Sequence, residues 1–161
     1  MITKNFVNFL IHASTYGVSY SYYPIIRNKN GGLVQGGYMS TEQLSYLFKN
    51  DKSSLGLSQN TFTIILGNGT TQPQADDLWL ENQIETLTIN SVSVSNNIGT
   101  ENIEEVRYIV SVTNNKNEDI TVSEIGLVFS YSPYYALFCR EVFENVTIKP
   151  NESKSFSIVL S

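Results

Sequence analysis

The chain has 161 residues, of which 41% are hydrophobic and 16% charged, and this length and composition suit one compact domain with or without an extension. Its net charge of −5 argues against DNA or RNA as a partner, because nucleic-acid affinity comes mainly from Lys and Arg that neutralise phosphates. The single cysteine, Cys139, excludes an intramolecular disulfide and a cysteine metal cluster, and no run reaches the roughly 18 apolar residues of a membrane span.

The first 60 residues differ in pattern from the rest, and we expect them to form an N-terminal arm or extension. Residues 1–13 have an apolar centre with Lys4 as the one positive side chain, which favours a strand or docking segment over a signal peptide. Residues 14–23 alternate small polar residues with Tyr and Val, as a strand or extended arm does. The turn-rich stretch 28–37 predicts a loop.

A short helix is predicted over residues 41–49. Ser40 can cap its N-terminus and Gln43 follows at the spacing of a capping box, with Leu44 and Leu47 at helical spacing after it. The helix either serves as an attachment or interface element or packs on its own domain, and the sequence leaves both alternatives open.

Residues 61–161 have the pattern of a second unit, a mainly β domain. Runs of alternating or β-branched residues are separated by turn signals, which predicts an antiparallel β-sandwich of the Ig-like or jelly-roll-like type with one or two short helices in the chain. The predicted strands are residues 61–66, 87–94, 106–113, 120–130, 134–143, 145–148 and 155–160.

A glycine-containing loop follows the first predicted strand. Gly67 and Gly69 permit backbone angles that other residues resist. A dinucleotide loop would need a third glycine where Gln72 stands, and no lysine follows as in a Walker loop. We therefore exclude a phosphate-binding role for this loop.

The next residues are expected to begin a short helix. Asp76 or Asp77 can cap it, and Leu78, Leu80 and Ile84 would reach the core from it. The same two aspartates precede further acidic residues, but an EF-hand spacing is missing, so capping and solvation explain them better than a cation site does.

The sequence offers no convincing reaction centre. His12 is the one histidine and has no nucleophile motif beside it, so a Ser-His-Asp triad has no basis. Metal sites of the His/Cys kind need more ligands than the chain holds. We expect no catalytic residue, no cofactor and no metal ion, and therefore a protein that is not an enzyme.

Glu124 is the charged residue with the clearest structural expectation. Alternation in its predicted strand places it on the same face as Val122 and Val128. A carboxylate on an apolar face needs a partner, and we expect Arg140, or failing that Arg107, to pair with it. The alternative is that this face is exposed and Glu124 is solvated.

Aromatic residues form the candidate contact surface. Tyrosine and tryptophan favour interfaces, which suggests contacts with neighbouring subunits or a host glycan, although ordinary packing between strands explains them equally well. The candidates are Tyr20, Tyr22, Tyr23, Trp79, Tyr131, Tyr134 and Tyr135.

Three ordered elements between residues 61 and 161 resemble a pattern of structural proteins from tailed-bacteriophage virions. The first is a GxGTTxP element followed by an aspartate and a leucine, the second a strand with Glu-Ile-Gly-Leu, and the third an apolar strand that contains arginine. The matching positions are Gly67, Gly69, Thr70, Thr71, Pro73, Asp76, Asp77, Leu80, Glu124, Gly126 and Arg140.

The resemblance implies a non-enzymatic structural part of a phage particle. It points to a capsid-associated auxiliary (decoration) or head-fibre protein, with a tail or adhesion module that contacts the host surface or its glycans as the alternative. It implies a location in the virion after synthesis in the bacterial host cytoplasm. The expected partners are other virion proteins, with many copies or a homo-oligomer on the particle and neither nucleic acid nor membrane.

Overall fold

In a computed structural model of the chain, the described residues are 1–7, 27–33, 61–98, 103–131 and 134–160. Within these ranges the chain is mainly β, as the sequence predicts, and its strands form two antiparallel sheets. The strands are β1 (Thr61–Gly67), β2 (Thr88–Ile98), β3 (Ile103–Thr113), β4 (Ile120–Tyr131), β5 (Tyr134–Ile148) and β6 (Ser153–Leu160).

The two sheets have the strand orders β1-β4-β5 and β2-β3-β6. The β2–β3 and β4–β5 pairs are consecutive in sequence, whereas β1–β4 and β3–β6 join distant strands. Both sheets contribute to one hydrophobic core, which is the arrangement of a β-sandwich. Its largest fully buried side chains are Tyr108, Phe129, Phe138, Ile64, Ile125, Leu127, Leu137 and Ile148.

A smaller apolar cluster lies on the other face of the β1-β4-β5 sheet. Leu80 from the segment between β1 and β2 packs there on Val128 and Leu137, with Ile65 and Trp79 at the edge of the cluster. This sheet is therefore covered on both faces, which explains why β4 is buried continuously from residue 122 to residue 129.

An irregularity in β4 changes the predicted orientation of its side chains. The β4–β5 register shifts between Val122 and Glu124, and Ser123 is the residue in between. Val122 belongs to the main core, whereas Glu124 faces the covering segment and Val128 belongs to the smaller cluster there. The prediction that Val122 shares a face with Glu124 is therefore wrong, because the regular alternation breaks at this irregularity, where Ser123 alone lies opposite residues 143–145 of β5.

The chain from Tyr134 to Ile148 is one strand, which corrects the predicted division into residues 134–143 and 145–148. β5 pairs with β4 on both sides of residues 143–145, and this stretch carries no Gly or Pro that would end a strand. The predicted turn at 149–152 is present, and Asn151 has a positive φ of 62° there.

The first seven residues pack against β5. Ile2 forms a β-bridge with Cys139, and the Thr3 amide donates a 3.0 Å hydrogen bond to the Phe138 carbonyl. Residues 4–7 are helical, and Phe6 lies in the main core against Phe138 with 5.5 Å between ring centroids. The N-terminus thus docks on the sheet, as its apolar pattern predicts.

Several sequence predictions fall outside the described residues. These are the strand or arm at 14–23 with Tyr20, Tyr22 and Tyr23, the position of His12, and the helix at 41–49. Of the predicted loop at 28–37, residues 28–33 are described and form a turn closed by a bridge between Arg27 and Leu33. In the described parts of the chain, no helix has the length and apolar character that crossing a bilayer requires.

Candidate functional site

Several residues of the three sequence elements come together on the outer side of the β1-β4-β5 sheet. Glu124 on β4 and Arg140 on β5 form an ion pair there, and the loop after β1 brings Asp77 and Glu81 to it. We call these four residues, with the backbone of loop 68–82 that they bind, the clamp. The clamp joins parts of the sequence that are up to about 70 residues apart.

Glu124 is fully buried, with 0% of its surface exposed, and each of its carboxylate oxygens is occupied. Oε1 accepts hydrogen bonds from Arg140 Nε at 2.6 Å and from the Glu81 amide at 2.8 Å. Oε2 accepts from the Gly69 amide at 3.2 Å and, more weakly, from the Asn82 amide at 3.4 Å. These donors offset the cost of burying the charge.

Arg140, 3% exposed, is the predicted partner of Glu124 and is confirmed as such. Its Nη1 donates to Asp77 Oδ2 at 2.7 Å and its Nη2 to the Thr71 carbonyl at 3.2 Å. Burial disfavours the guanidinium charge, but hydrogen bonds with Asp77 and Glu124 outweigh it and raise the pKa of Arg140. The second candidate, Arg107 on β3, lies in the other sheet and donates there to Ser157 Oγ on β6.

Glu81 fixes the two threonines of the loop. Its Oε2 accepts hydrogen bonds from the amides of Thr70 and Thr71, each at 2.9 Å, and its Oε1 accepts from the Thr71 hydroxyl at 2.9 Å. These bonds, above all the one from the Thr71 amide, lower the pKa of Glu81 below its ordinary value. The sequence did not single out Glu81 as part of this site.

The glycines of the pattern are explained by close approach. Gly67 and Gly69 have no positive φ, so neither of them adopts the backbone angles that glycine permits and other residues resist. A Cβ on Gly67 would contact Glu124 Oε2 and lie 2.7 Å from the Asn82 carbonyl oxygen. A Cβ on Gly69 would lie 2.6 Å from Glu81 Cβ, and one on Gly126 would lie 2.9 Å from Leu80 Cδ2.

The helix predicted after Asp76 or Asp77 is absent, and the segment forms turns followed by a bridge between Gly67 and Gln83. The amides of Glu81 and Asn82 donate to the Glu124 carboxylate, so they are not available to helical carbonyls. Asp77 still acts in a cap-like way, because its Oδ2 accepts from the Gln74 amide at 2.8 Å.

The remaining residues of the pattern have smaller roles. Asp76 is exposed, and its carboxylate lies 3.9 Å from Lys4 Nζ. Pro73 is half-buried in the loop. Leu80 reaches the smaller apolar cluster and Ile84 packs on the main core, as the sequence predicts.

Two of the predicted contact aromatics lie at an open groove of about 560 Å³ on the β1 and β2 side of the sandwich. Trp79 is half-buried there, donates from Nε1 to Gln83 Oε1 at 2.8 Å, and has Lys29 Nζ 5.8 Å from its ring centroid. Tyr135 is 38% exposed at the same groove. Tyr131 and Tyr134 are backbone partners in the register where β4 meets β5.

The geometry of the clamp suits a structural role better than a chemical reaction at Glu124 or Arg140. Both oxygens of Glu124 are engaged by donors, and the Arg140 side chain is held by Glu124, Asp77 and the Thr71 carbonyl. Among the described residues, no group of three or more His, Cys, Asp or Glu side chains could hold a metal ion. Comparison with family models, curated proteins and solved structures found no match to the chain.

Acid is expected to weaken the clamp through Glu81. Because the folded-state pKa of Glu81 lies below its ordinary value of 4.5, its contribution to stability is present above that value and is lost as the pH falls through the lower folded pKa. Urea unfolding of the native chain and Glu81→Gln across this acidic range measures the effect. The advantage of the native chain should shrink as the pH falls, and a difference that stays constant would contradict this assignment.

Gly67→Ala is expected to destabilise the fold by about 1–3 kcal/mol, the usual cost of overpacking. The sign of this change in stability is informative, because replacing a strand glycine with alanine ordinarily stabilises the fold by about 0.5–1 kcal/mol. The control is Gly32→Ala, where the new Cβ would lie 3.2 Å from Nδ2 of the Asn28 side chain and would meet no backbone atom within that distance. Equal unfolding free energies for the two variants would show that Gly67 is not held by close contact.

Proposed function

We propose that this chain is a non-enzymatic structural protein of a bacteriophage particle and serves as a capsid-associated auxiliary (decoration) or head-fibre protein. The observation that carries the proposal is the clamp. The three sequence elements come from distant stretches of the chain, and the buried charges at their meeting point, Glu124 and Arg140, pair with each other, while Asp77 is a second, partly exposed partner of Arg140. A pattern that builds a fold is what a family of structural proteins would share, whereas a reaction centre keeps its groups open to a substrate.

The proposal includes an Ig-like or jelly-roll-like type for the sandwich. The pairing of β1 with β4 and of β3 with β6 supports it, since such distant pairings are typical of sandwiches and not of simple meanders. The sandwich supplies a rigid body on which contact residues can be presented.

In this proposal the protein resides in the virion after synthesis in the bacterial host cytoplasm. It binds other virion proteins, as a homo-oligomer or in many copies, through apolar and aromatic surface. The half-exposed Ile89 and Tyr135 at the groove support this mode of contact, and the net charge of −5 makes nucleic acid an unfavourable partner.

Peptide mass spectrometry of purified particles tests the proposal. Particles are separated into heads and tails, and the copies of this chain in each fraction are counted against the major capsid protein. The proposal expects many copies that stay with the heads, including heads emptied of DNA. Absence from particles would contradict any virion role.

A tail or adhesion module that contacts host glycans is the second candidate. It is favoured by the groove, where the aromatic faces of Trp79 and Tyr135 lie beside the polar side chains of Lys29 and Gln83. Such a module would be found in few copies with the tails and would bind cell-wall sugars in solution, and Trp79→Ala would abolish that binding. A decoration protein would stay with heads and bind no sugar.

A further inference from the structure

The sequence contains two Asn-Gly pairs, Asn30-Gly31 and Asn68-Gly69, and both asparagine side chains are exposed. In such a pair the glycine backbone nitrogen can lose its proton and attack the asparagine Cγ. The new N–C bond closes a succinimide ring, while the bond from Cγ to the amide nitrogen Nδ2 breaks and ammonia leaves. Water then opens the ring at either carbonyl and gives aspartate or isoaspartate.

We propose that Asn30 is a spontaneous deamidation site of this protein, and that the clamp protects Asn68 from the same reaction. Sequence context does not distinguish the two positions, since each asparagine precedes a glycine. The two positions differ in the surroundings of the glycine backbone nitrogen.

At Asn68 the attacking nitrogen is held by a negative charge. The Gly69 amide donates a 3.2 Å hydrogen bond to Oε2 of Glu124, which is fully buried. Removing the amide proton would place a second negative charge against this carboxylate, in surroundings where charges are poorly screened. The nitrogen therefore stays protonated and unreactive.

The geometry at Asn68 also resists ring closure. The Asn68 side-chain oxygen accepts a hydrogen bond from Asn82 Nδ2, and the Asn68 amide donates to the Asn82 carbonyl at 3.0 Å. Glu81 crowds Gly69, because a Cβ added to Gly69 would lie 2.6 Å from Glu81 Cβ. Turning Asn68 Cγ onto the Gly69 nitrogen would require these contacts to break.

At Asn30 the attacking nitrogen has a neutral and replaceable partner. The Gly31 amide donates to the Asn28 carbonyl at 2.9 Å in an exposed turn, where water can take over the bond. Gly31 has a φ of +79°, and the nearest atom to an added Cβ would be Leu78 Cδ1 at 3.7 Å. Gly31 is therefore not crowded as Gly69 is, and the hydrogen bonds of Arg27 and Asn28 that hold its turn lie at the surface.

Deamidation at Asn30 would change the mouth of the groove. The new carboxylate follows Lys29, whose amino group lies over the Trp79 ring. An isoaspartate would also lengthen the backbone within the turn that Asn28 holds through the amides of Asn30 and Gly32.

The test follows both asparagines in one sample by peptide mass spectrometry during incubation of the purified full-length protein at mildly alkaline pH. A hydrogen bond to a charged group changes an equilibrium by about 10- to 100-fold, so we expect Asn30 to deamidate about 10- to 100-fold faster than Asn68 in the folded protein. In strong denaturant the two rates should become similar, which gives the reference for sequence context. Equal rates in the folded protein, or a faster rate at Asn68, would overturn the proposal.

Glu124→Gln tests the protecting group directly. The variant keeps a side-chain oxygen but removes the charge beside the Gly69 amide, so the rate at Asn68 should rise toward its value in denaturant while the rate at Asn30 stays unchanged. An unchanged rate at Asn68 would overturn the protective role of the clamp. Asn30→Gln provides the second readout, because it should remove the acidic variant that ion-exchange chromatography resolves in the aged native protein.

Discussion

Arg140→Met is expected to lower the free energy of unfolding by about 3–5 kcal/mol, the usual cost of removing one partner from a buried ion pair. Methionine fills similar space, but Glu124 would remain fully buried without the 2.6 Å bond from Arg140 Nε. Asp77 and the Thr71 carbonyl would lose their donors in the same step. Urea unfolding of the purified variant measures the loss.

Lys154→Met is the control, because it also replaces a basic residue with methionine, but in a surface ion pair. Lys154 Nζ lies 3.6 Å from Glu152 Oε1, and both side chains are partly exposed. Exposed pairs contribute about 0–1 kcal/mol, so this variant should stay within that range. A loss for Arg140→Met that is no larger than the loss for the control would contradict the role given to the clamp.

Phe138→Ala is expected to cost about 3–5 kcal/mol, the range for removing a buried aromatic ring. The ring is fully buried, stacks on Phe129 and meets the edge of Phe6, with 5.5 Å between centroids in each pair. Because Phe6 belongs to the N-terminal segment, the variant should also release residues 1–7 from β5. Hydrogen exchange at the Thr3 amide, which bonds the Phe138 carbonyl, reports that release.

Phe143→Ala serves as its control on the same strand. Phe143 is partly buried and packs at a tilt on Phe156, with 5.8 Å between centroids. Its loss should cost less, and exchange at Thr3 should stay at the native rate. Fast exchange at Thr3 in both variants would mean that the N-terminal segment is not anchored through Phe138.

Local pattern was sufficient to predict most of the strands. Alternation and turn residues located β1, β3, β4 and β6 to within a few residues, because each strand has a face on the shared core that repeats with period two. The same signals suggested a break near Glu144 that does not exist. β5 pairs with β4 on both sides of this stretch, and the strand continues through it as an irregularity.

The clamp could be predicted only in part. A glutamate within an apolar strand needs a partner, and this requirement alone identified Arg140. The irregularity at Ser123, the turn in place of a helix after Asp76, and the role of Glu81 depend on contacts between β4 and a loop more than 40 residues earlier in the sequence. Local propensity carries no information on such contacts. In this loop the Glu124 carboxylate accepts hydrogen bonds from the Glu81 and Asn82 amides, which helical carbonyls would otherwise accept.

The central claim is that Glu124 and Arg140 hold the fold together as a unit, and a double-mutant cycle measures this most directly. Unfolding free energies are needed for the native protein, Glu124→Gln, Arg140→Met and the double variant. The account predicts that the double variant loses less stability than the sum of the single variants, by about 1–3 kcal/mol, as expected for groups in one network. Losses that add within about 0.5 kcal/mol would contradict it, because independent residues behave in that way.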